Sequence, residues 1–496
     1  MKIQNNNEQL SNNKMKNSTC ILFFIFSISL LHAQGKLLGV TYGGGENGVG
    51  AIFRINADGT NFELIHSFDV ISNQGGINPT GGFTKGSDGK LYGLTINGGE
   101  YGGGTLYHMN TDGTGIETIY NFSTSTGSSP GYRVIEGSDG NLYGVNFAGG
   151  DFGVGGIFSI SKDGSNYKVL KHFTDVTNDE WLPAGSLLEA SDGRLYGTII
   201  NTCQPCGGLV FSINKDGTDY QYLHFFGNSP GDIPGSNLVE GTNGELFGTS
   251  FSGFSTEDST GILFQLNNNG TEFTVLHNFN PDTYADPFGE LLIASDNKLY
   301  GTTIGGSGDH KGSIFSINQD GSDFSVLHEF DGLDGTYGRE GGMIEGVQGK
   351  LFGMTRSGGV NNKGVIYSIN KDGSIFTKLY DFADGPTSGA LPMGYLFSDE
   401  GETLVPESHK AFQMNISPNP VFENIAFQLD EGISEHDKIK ISICNNMGEV
   451  LFQAEEQIGD VNLNLNSILS NWQNGIYFVK AGFLEAHYMT SFVLLH

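Results

Sequence analysis

The stretch PTGGFTKGSDGKLYGLTINGGEYGGGTLYHMNTDGTGIETIYNF, residues 79–122, is one full copy of the unit that builds most of this chain. A short strand near Gly82–Lys85 ends at Ser87-Asp88-Gly89, and a second runs through Lys90–Thr95. A glycine-rich stretch at 97–104 leads into a third strand, Thr105–Asn110; Asp112-Gly113 then turns the chain into a fourth, Ile116–Phe122. Asp-Gly between alternating apolar runs is a strong hairpin signal, because glycine takes φ > 0 without strain. Each unit therefore reads as two hairpins forming a four-stranded antiparallel meander.

The unit recurs. A Leu-[Tyr/Phe/Leu]-Gly tripeptide places glycine at Gly39, Gly93, Gly144, Gly197, Gly248, Gly301 and Gly353, in steps of 51 to 54 residues. So regular a period means one supersecondary unit copied in tandem. The second and third strands carry apolar residues on both faces, as in Leu91 with Tyr92 and Ile157 with Phe158, so both faces must be covered. Radially stacked β-propeller blades do this, and blades of roughly 40–50 residues match the period. A parallel β-helix has shorter rungs that do not fold back as hairpins. The recurring glycine itself is expected to let a neighbouring backbone approach closely.

The ends of the array show how the ring shuts. The first copy begins at Lys36–Thr41 without an innermost strand. Prolines open that strand at Pro79, Pro130, Pro183, Pro234 and Pro287, and again at Pro392, where residues 392–401 form a first hairpin with no second half. This segment can supply the missing strand. The expectation is an all-β, seven-bladed β-propeller of four-stranded blades, closed by both chain ends.

Bulk composition sets limits on function. Among 496 residues, 76 are glycine, about twice the ordinary ~7% usage, with no collagen-like period. Asp and Glu number 55 against 25 Lys and Arg, a net charge of −30. Nucleic-acid binding needs a basic footprint, so that class of partner is excluded. The charge suits an exported, soluble surface. Lys14 and Lys16 precede an 11-residue apolar run, Ile21–Leu31, and then His-Ala-Gln, the pattern of a secretory signal peptide. That run is too short for a membrane span of ~20 residues, and no later transmembrane segment is expected. Cys203 and Cys206 (CQPC) are expected to form a local disulfide, as exported chains favour.

Two resemblances add to this reading. The units GKLYGLTINGG (89–99) and GSIFSINQDG (312–321) resemble a family of secreted bacterial tandem repeats with the pattern GxLYGxTxxGG…IFxINxDG. Residues 414–496 read as short alternating strands of a small β-sandwich. Their SPNP (417–420), NNMGEVLF (445–452) and GIYFVKA (475–481) resemble the C-terminal sorting domain of Bacteroidetes type IX secretion cargo. That resemblance implies contact with the secretion machinery through residues 414–496, and a secreted or cell-surface protein. The domains expected are a signal peptide (1–34), the propeller (35–404), a linker (405–413) and the sorting domain (414–496).

Function is harder to read, because residues that recur in every copy belong to the scaffold. His66, His224, His277 and His328 share one register of the fourth strand with Tyr120, Lys171 and Tyr380, and are expected to pack on the surface. The Asn-x-Asp-Gly-[Ser/Thr] turns bring a calcium loop to mind, but calcium wants six to eight oxygens and a downstream carboxylate. Asx turn chemistry accounts for the pattern, and no cofactor is expected. In a meander the second connections and the blade-to-blade linkers share one face of the ring. These loops vary between copies, and variable loops on a rigid scaffold are where binding resides. The candidate binding face carries Glu100, Tyr101, Asp151, Asp179, Glu180, Trp181, Asp309 and His310. The expected function is a binding protein for glycan or an envelope protein, with no catalytic constellation in evidence. The rivals are a polysaccharide-acting glycosidase or lyase using carboxylates of that face, and a purely structural surface protein.

Overall fold

The computed structural model describes residues 35–398 except 71–74, 175–181, 201–206, 227–232, 252–260, 281–284, 306–310, 337–340 and 347–348; within 415–494 it describes strands alone. Seven antiparallel sheets form seven blades, and no α-helix occurs among the described residues. Blade 2 shows the plan, with Gly76–Lys85 innermost, then Lys90–Gly98, Thr105–Asn110 and Glu117–Asn121 outermost. Blade 1 is made from both chain ends. Ala390–Ser398 pairs with Lys36–Gly43, which is followed by Ala51–Asn56 and Glu63–Ser67. The ring closes as its terminal half-unit implied.

Apolar residues on both faces of each sheet are buried between neighbouring blades. Tyr92, Leu94, Leu106 and Phe122 of blade 2 pack with Val134, Leu142, Phe158 and Ile160 of blade 3 in one such layer. Each side chain buried this way stabilises the ring by about 1.5–3 kcal/mol.

The recurring glycine has a different cause from the one expected. Its partner across the ladder is always an aromatic residue of the third strand: Gly39↔Phe53, Gly93↔Tyr107, Gly144↔Phe158, Gly197↔Phe211, Gly248↔Phe264, Gly301↔Phe315 and Gly353↔Tyr367. A Cβ at Gly144, Gly197, Gly248 or Gly301 would lie 2.5 Å from the Cζ of that ring. The glycine makes room for an aromatic ring folded across it, rather than for a neighbouring backbone.

Innermost strands come in two forms. In blades 1, 2 and 3 they run continuously, but the register slips around Gly394-Tyr395-Leu396, Gly81-Gly82-Phe83 and Tyr132-Arg133-Val134. The first residue of each bulge is left-handed: Gly394 (φ 74), Gly81 (φ 73) and Tyr132 (φ 58). In blades 5 and 6 the strand is split into two short pieces, Ile233–Pro234 with Val239–Glu240, and Ala285–Pro287 with Leu292–Ile293. The short first strand read from the sequence therefore fits the split form better than blades 1 to 3.

Within 415–494 two further antiparallel sheets are described. One joins Asn415–Ser417, Ile425–Gln428 and Asn462–Leu463; the other runs in the order Val450–Gln457, Lys438–Cys444, Gly475–Phe483, Ala486–Leu494.

Candidate functional site

The recurring polar residues are occupied by the scaffold. Six of the seven fourth-strand His, Tyr or Lys residues reach the aromatic that follows the next blade's outer turn; for His66 that position is Ile116. His224 stacks on Phe273 at 3.7 Å, His277 on Phe324 at 3.8 Å and His328 on Phe376 at 3.7 Å. Tyr380 stacks on Phe62 and Tyr120 on Tyr167, while Lys171 Nζ lies 4.7 Å from the Tyr220 ring centre. Burial holds His66, His224 and His277 below the ordinary imidazole range, although Asp69 pulls His66 partly back. His224, His277 and His328 are seams between blades, where the sequence suggested packing on the surface.

A second seam was not legible in the turn pattern alone. Glu345 of blade 7 accepts hydrogen bonds from the Ser295 N–H (2.7 Å) and Oγ (2.7 Å) of blade 6, and from Lys371 Nζ of its own blade (2.6 Å). Glu136 with Ser87 and Lys162, and Glu189 with Ser138 and Lys215, repeat the arrangement; Glu240 with Ser191 repeats its serine half. The signal was present as Glu two residues before Ser-Asp-Gly in 136–140 and 189–193. In the outer turns the Asp oxygen is taken by its own Ser or Thr: Asp112 Oδ1 accepts from the Thr114 N–H (2.9 Å) and Oγ1 (2.6 Å). These hydrogen bonds hold Asp112 below the usual carboxylate range.

The variable face contains a recurring loop frame with two changing tip residues. In blades 1, 2, 3 and 7 a Gly-Gly pair opens the second connection, and paired backbone bonds close it: Gly102 N–H to Gly99 O (3.2 Å) and Gly104 N–H to Gly98 O (2.9 Å) in blade 2. The last residue of the outer strand then caps the first tip amide. The Glu100 N–H donates to Asn121 Oδ1 (2.9 Å), Asp151 N–H to His172 Nδ1 (3.2 Å), and Val360 N–H to Asp381 Oδ1 (2.9 Å). The second tip residue is Asn in blades 1 and 7, where Asn47 and Asn361 fold back onto the Phe68 and Phe382 carbonyls. In blades 2 and 3 it is Tyr101 and Phe152, which stand 60% and 51% exposed beside exposed Glu100 and Asp151. Val70, Leu333 and Val360 are exposed in loops on the same face.

The structure thus brings Glu100, Tyr101, Asp151 and Phe152 onto adjacent blades. Asp179, Glu180, Trp181, Asp309, His310, Cys203 and Cys206, like the signal peptide, lie outside the described residues.

A second site lies on the axis. One position of the innermost strand does not recur: Gly82, Arg133, Ser186, Asn237, Glu290, Gly342 and Tyr395 occupy it in blades 2 through 7 and 1. The Arg133 guanidinium stacks 4.6 Å from the Tyr395 ring centre, and the Asn237 amide donates to Tyr395 Oη (3.3 Å) and Glu290 Oε2 (2.5 Å). Contacts among blades 1, 3 and 5, which are not neighbours in the ring, can form only across the axis. Gly342 is permissive here, since a Cβ on it would overlap the Tyr395 ring. Burial pushes the Glu290 carboxyl up to about 7, against the opposing pull of Arg133 and the Asn237 amide. Sequence reasoning missed this column because it searched only the loops for variation. A single unmatched column inside an otherwise repeated innermost segment was the available signal.

A family model described as the Gloeobacter/Verrucomicrobia repeat matches residues 26–260 and 255–405, and one described as the secretion system C-terminal sorting domain matches 415–494. No curated protein matches the sequence. Among solved structures, a candidate 6-phosphogluconolactonase from Bacteroides uniformis is similar at 14% identity and TM-score 0.49, covering 73% of this chain and 99% of that one. A second, from Bacteroides fragilis, has 16% identity and TM-score 0.48, covering 75% and 99%.

Proposed function

The chain belongs to the Gloeobacter/Verrucomicrobia repeat family, and from that premise we propose that it is a binding propeller for glycan or an envelope protein. Its C-terminal sorting domain directs export by type IX secretion to the medium or the cell surface. We read residues 1–34 as the signal peptide, 35–404 as the propeller, 405–413 as the linker, and the two sheets of 414–496 as a sandwich addressed to the secretion machinery.

The observation that carries this reading is the pair of acid–aromatic tips, Glu100-Tyr101 and Asp151-Phe152, on adjacent blades. Tyr101 and Phe152 are more than half exposed, on loops tied down by the backbone and by Asn121 and His172. An aromatic ring held rigidly at the surface gives contact area at little entropic cost, and a carboxylate beside it accepts hydroxyl or ammonium donors. Sugar rings and basic protein patches both meet that description.

The test is adsorption of the full-length protein to a panel of insoluble polysaccharides and to isolated envelopes. Replacing both Tyr101 and Phe152 with alanine is expected to weaken retention about tenfold or more, with an unchanged unfolding midpoint. Retention by nothing in the panel, or retention indifferent to the double replacement, sinks the proposal. Release of new reducing ends or unsaturated sugars, lost on replacing Asp151, would substitute a polysaccharide-acting enzyme for it.

A further inference from the structure

We propose that the axial cluster is a binding site for one small hydroxy-carboxylate, with Arg133 as its counter-ion and Asn237 and Glu290 as its hydrogen-bonding floor. The proposal concerns the axis and is independent of the loop-tip reading.

Three observations carry it. First, among the described residues Arg133 has no carboxylate within ion-pair reach; its guanidinium rests on Tyr395, and its Nε meets no acceptor among them. A guanidinium offers five donors in a planar fork suited to a carboxylate. Arg133 and Tyr395 are only partly buried, which leaves both within reach of a ligand. Second, Asn237 is 6% exposed and its carboxamide oxygen meets no donor, while its nitrogen is spent on Glu290 and Tyr395. A buried acceptor left unpaired is costly, and a ligand hydroxyl would satisfy it. Third, Glu290 is 8% exposed and, among the described residues, has the Asn237 amide as its one hydrogen-bond partner. The titratable and charged groups of this column are Arg133, Glu290 and Tyr395; the other positions are Gly82, Ser186, Asn237 and Gly342.

Those groups predict how binding responds to pH. A carboxylate arriving beside Glu290 favours its neutral form, so binding takes up a proton wherever the free site has lost it. With the Glu290 carboxyl at about 7 in the free protein, affinity is highest below that pH and falls about tenfold between pH 6 and pH 8. A neutral polyol gains nothing from Arg133 and should not bind.

Titration calorimetry on the full-length protein tests this with sodium glucuronate, sodium acetate and glucose at pH 6 and pH 8. Glucuronate is expected to bind at one site, about tenfold more weakly at pH 8, and glucose is expected not to bind. Acetate is expected to bind more weakly than glucuronate; acetate bound as tightly would overturn the hydroxyl contacts to Asn237 and Glu290. Arg133→Gln should abolish binding and Arg133→Lys should restore part of it, while Glu290→Gln should bind with the pH dependence removed. Circular dichroism confirms that each variant is folded. Failure of both carboxylates to bind the wild-type protein overturns the proposal, as does binding that survives Arg133→Gln in a folded protein. Tyr101→Ala with Phe152→Ala leaves this titration unchanged, so loss at the axis and loss at the loop face are told apart.

Discussion

The rim and the axis of this ring are built from the same seven blades, yet they obey opposite rules. At the rim the blades repeat one another: at six of the seven junctions a ring or cation on the outer strand lies over the aromatic of the next blade, from Tyr380 on Phe62 to His328 on Phe376. The exception is His66, where that position is Ile116. At the axis Gly, Arg, Ser, Asn, Glu, Gly and Tyr share one register. A seam must be made at every junction, so its chemistry recurs; a contact made across the centre by particular blades need not. Within a repeat array, variation at one register of the innermost segment is therefore as informative as variation in an outer loop.

The largest effect expected comes from breaking a position that never varies. Gly301→Val places side-chain atoms where the Phe315 ring lies, and should cost about 3 kcal/mol or more in denaturant unfolding. Tolerance of that change would mean that the glycine serves some other purpose. Glu345→Ala comes next. It strands Lys371 and two Ser295 donors at one seam and should cost about 2–3 kcal/mol. Burial alone would raise the Glu345 carboxyl, but bonds from Lys371 and Ser295 and the lysine charge hold it below its ordinary value. The stability it contributes is present above the ordinary carboxylate range and is lost as pH falls through the depressed value.

The rim and axis should also titrate in opposite senses. Glu290 keeps its proton in the folded ring up to about 7 but releases it near 4.5 when unfolded. The folded state then holds more protons between those values, and stability falls as pH rises. Glu290→Gln should accordingly gain about 2 kcal/mol on the wild type at pH 8 and nothing at pH 4. For the rim histidines the ordinary value is 6.5 and burial lowers it. The unfolded chain then holds more protons below about 6.5, and stability falls as pH falls toward the depressed value. His277→Ala should lose about 1 kcal/mol at pH 8 through the Phe324 stack, and less at pH 5. Parallel pH profiles for the two variants would erase the contrast between centre and edge.

Blade number, ring closure and export address were all legible, because periodicity, Pro392 and the sorting motifs are local signals. The reason for the recurring glycine was not, since the ring it accommodates belongs to a different strand at a fixed register. The Glu345-type latch joins residues about fifty positions apart. The axial contact from Asn237 to Tyr395 spans 158 positions and joins blades that are not neighbours. Such pairings depend on the closed ring rather than on any stretch of chain. On the loop face Glu100, Tyr101 and Asp151 were named from the sequence, while the exposed Phe152 beside Asp151 was not. The backbone frame that holds them, and the asparagines that replace the aromatics in blades 1 and 7, became visible only in three dimensions.

The most direct test of the division between scaffold and binding positions is one adsorption isotherm, measured on whichever polysaccharide or envelope fraction retains the wild-type protein. It is run side by side on His277→Ala and on Tyr101→Ala with Phe152→Ala. The account predicts full retention by the rim variant, despite its lower stability, and retention weakened about tenfold or more by the tip variant. Equal retention by the two, or loss confined to the rim variant, would contradict it.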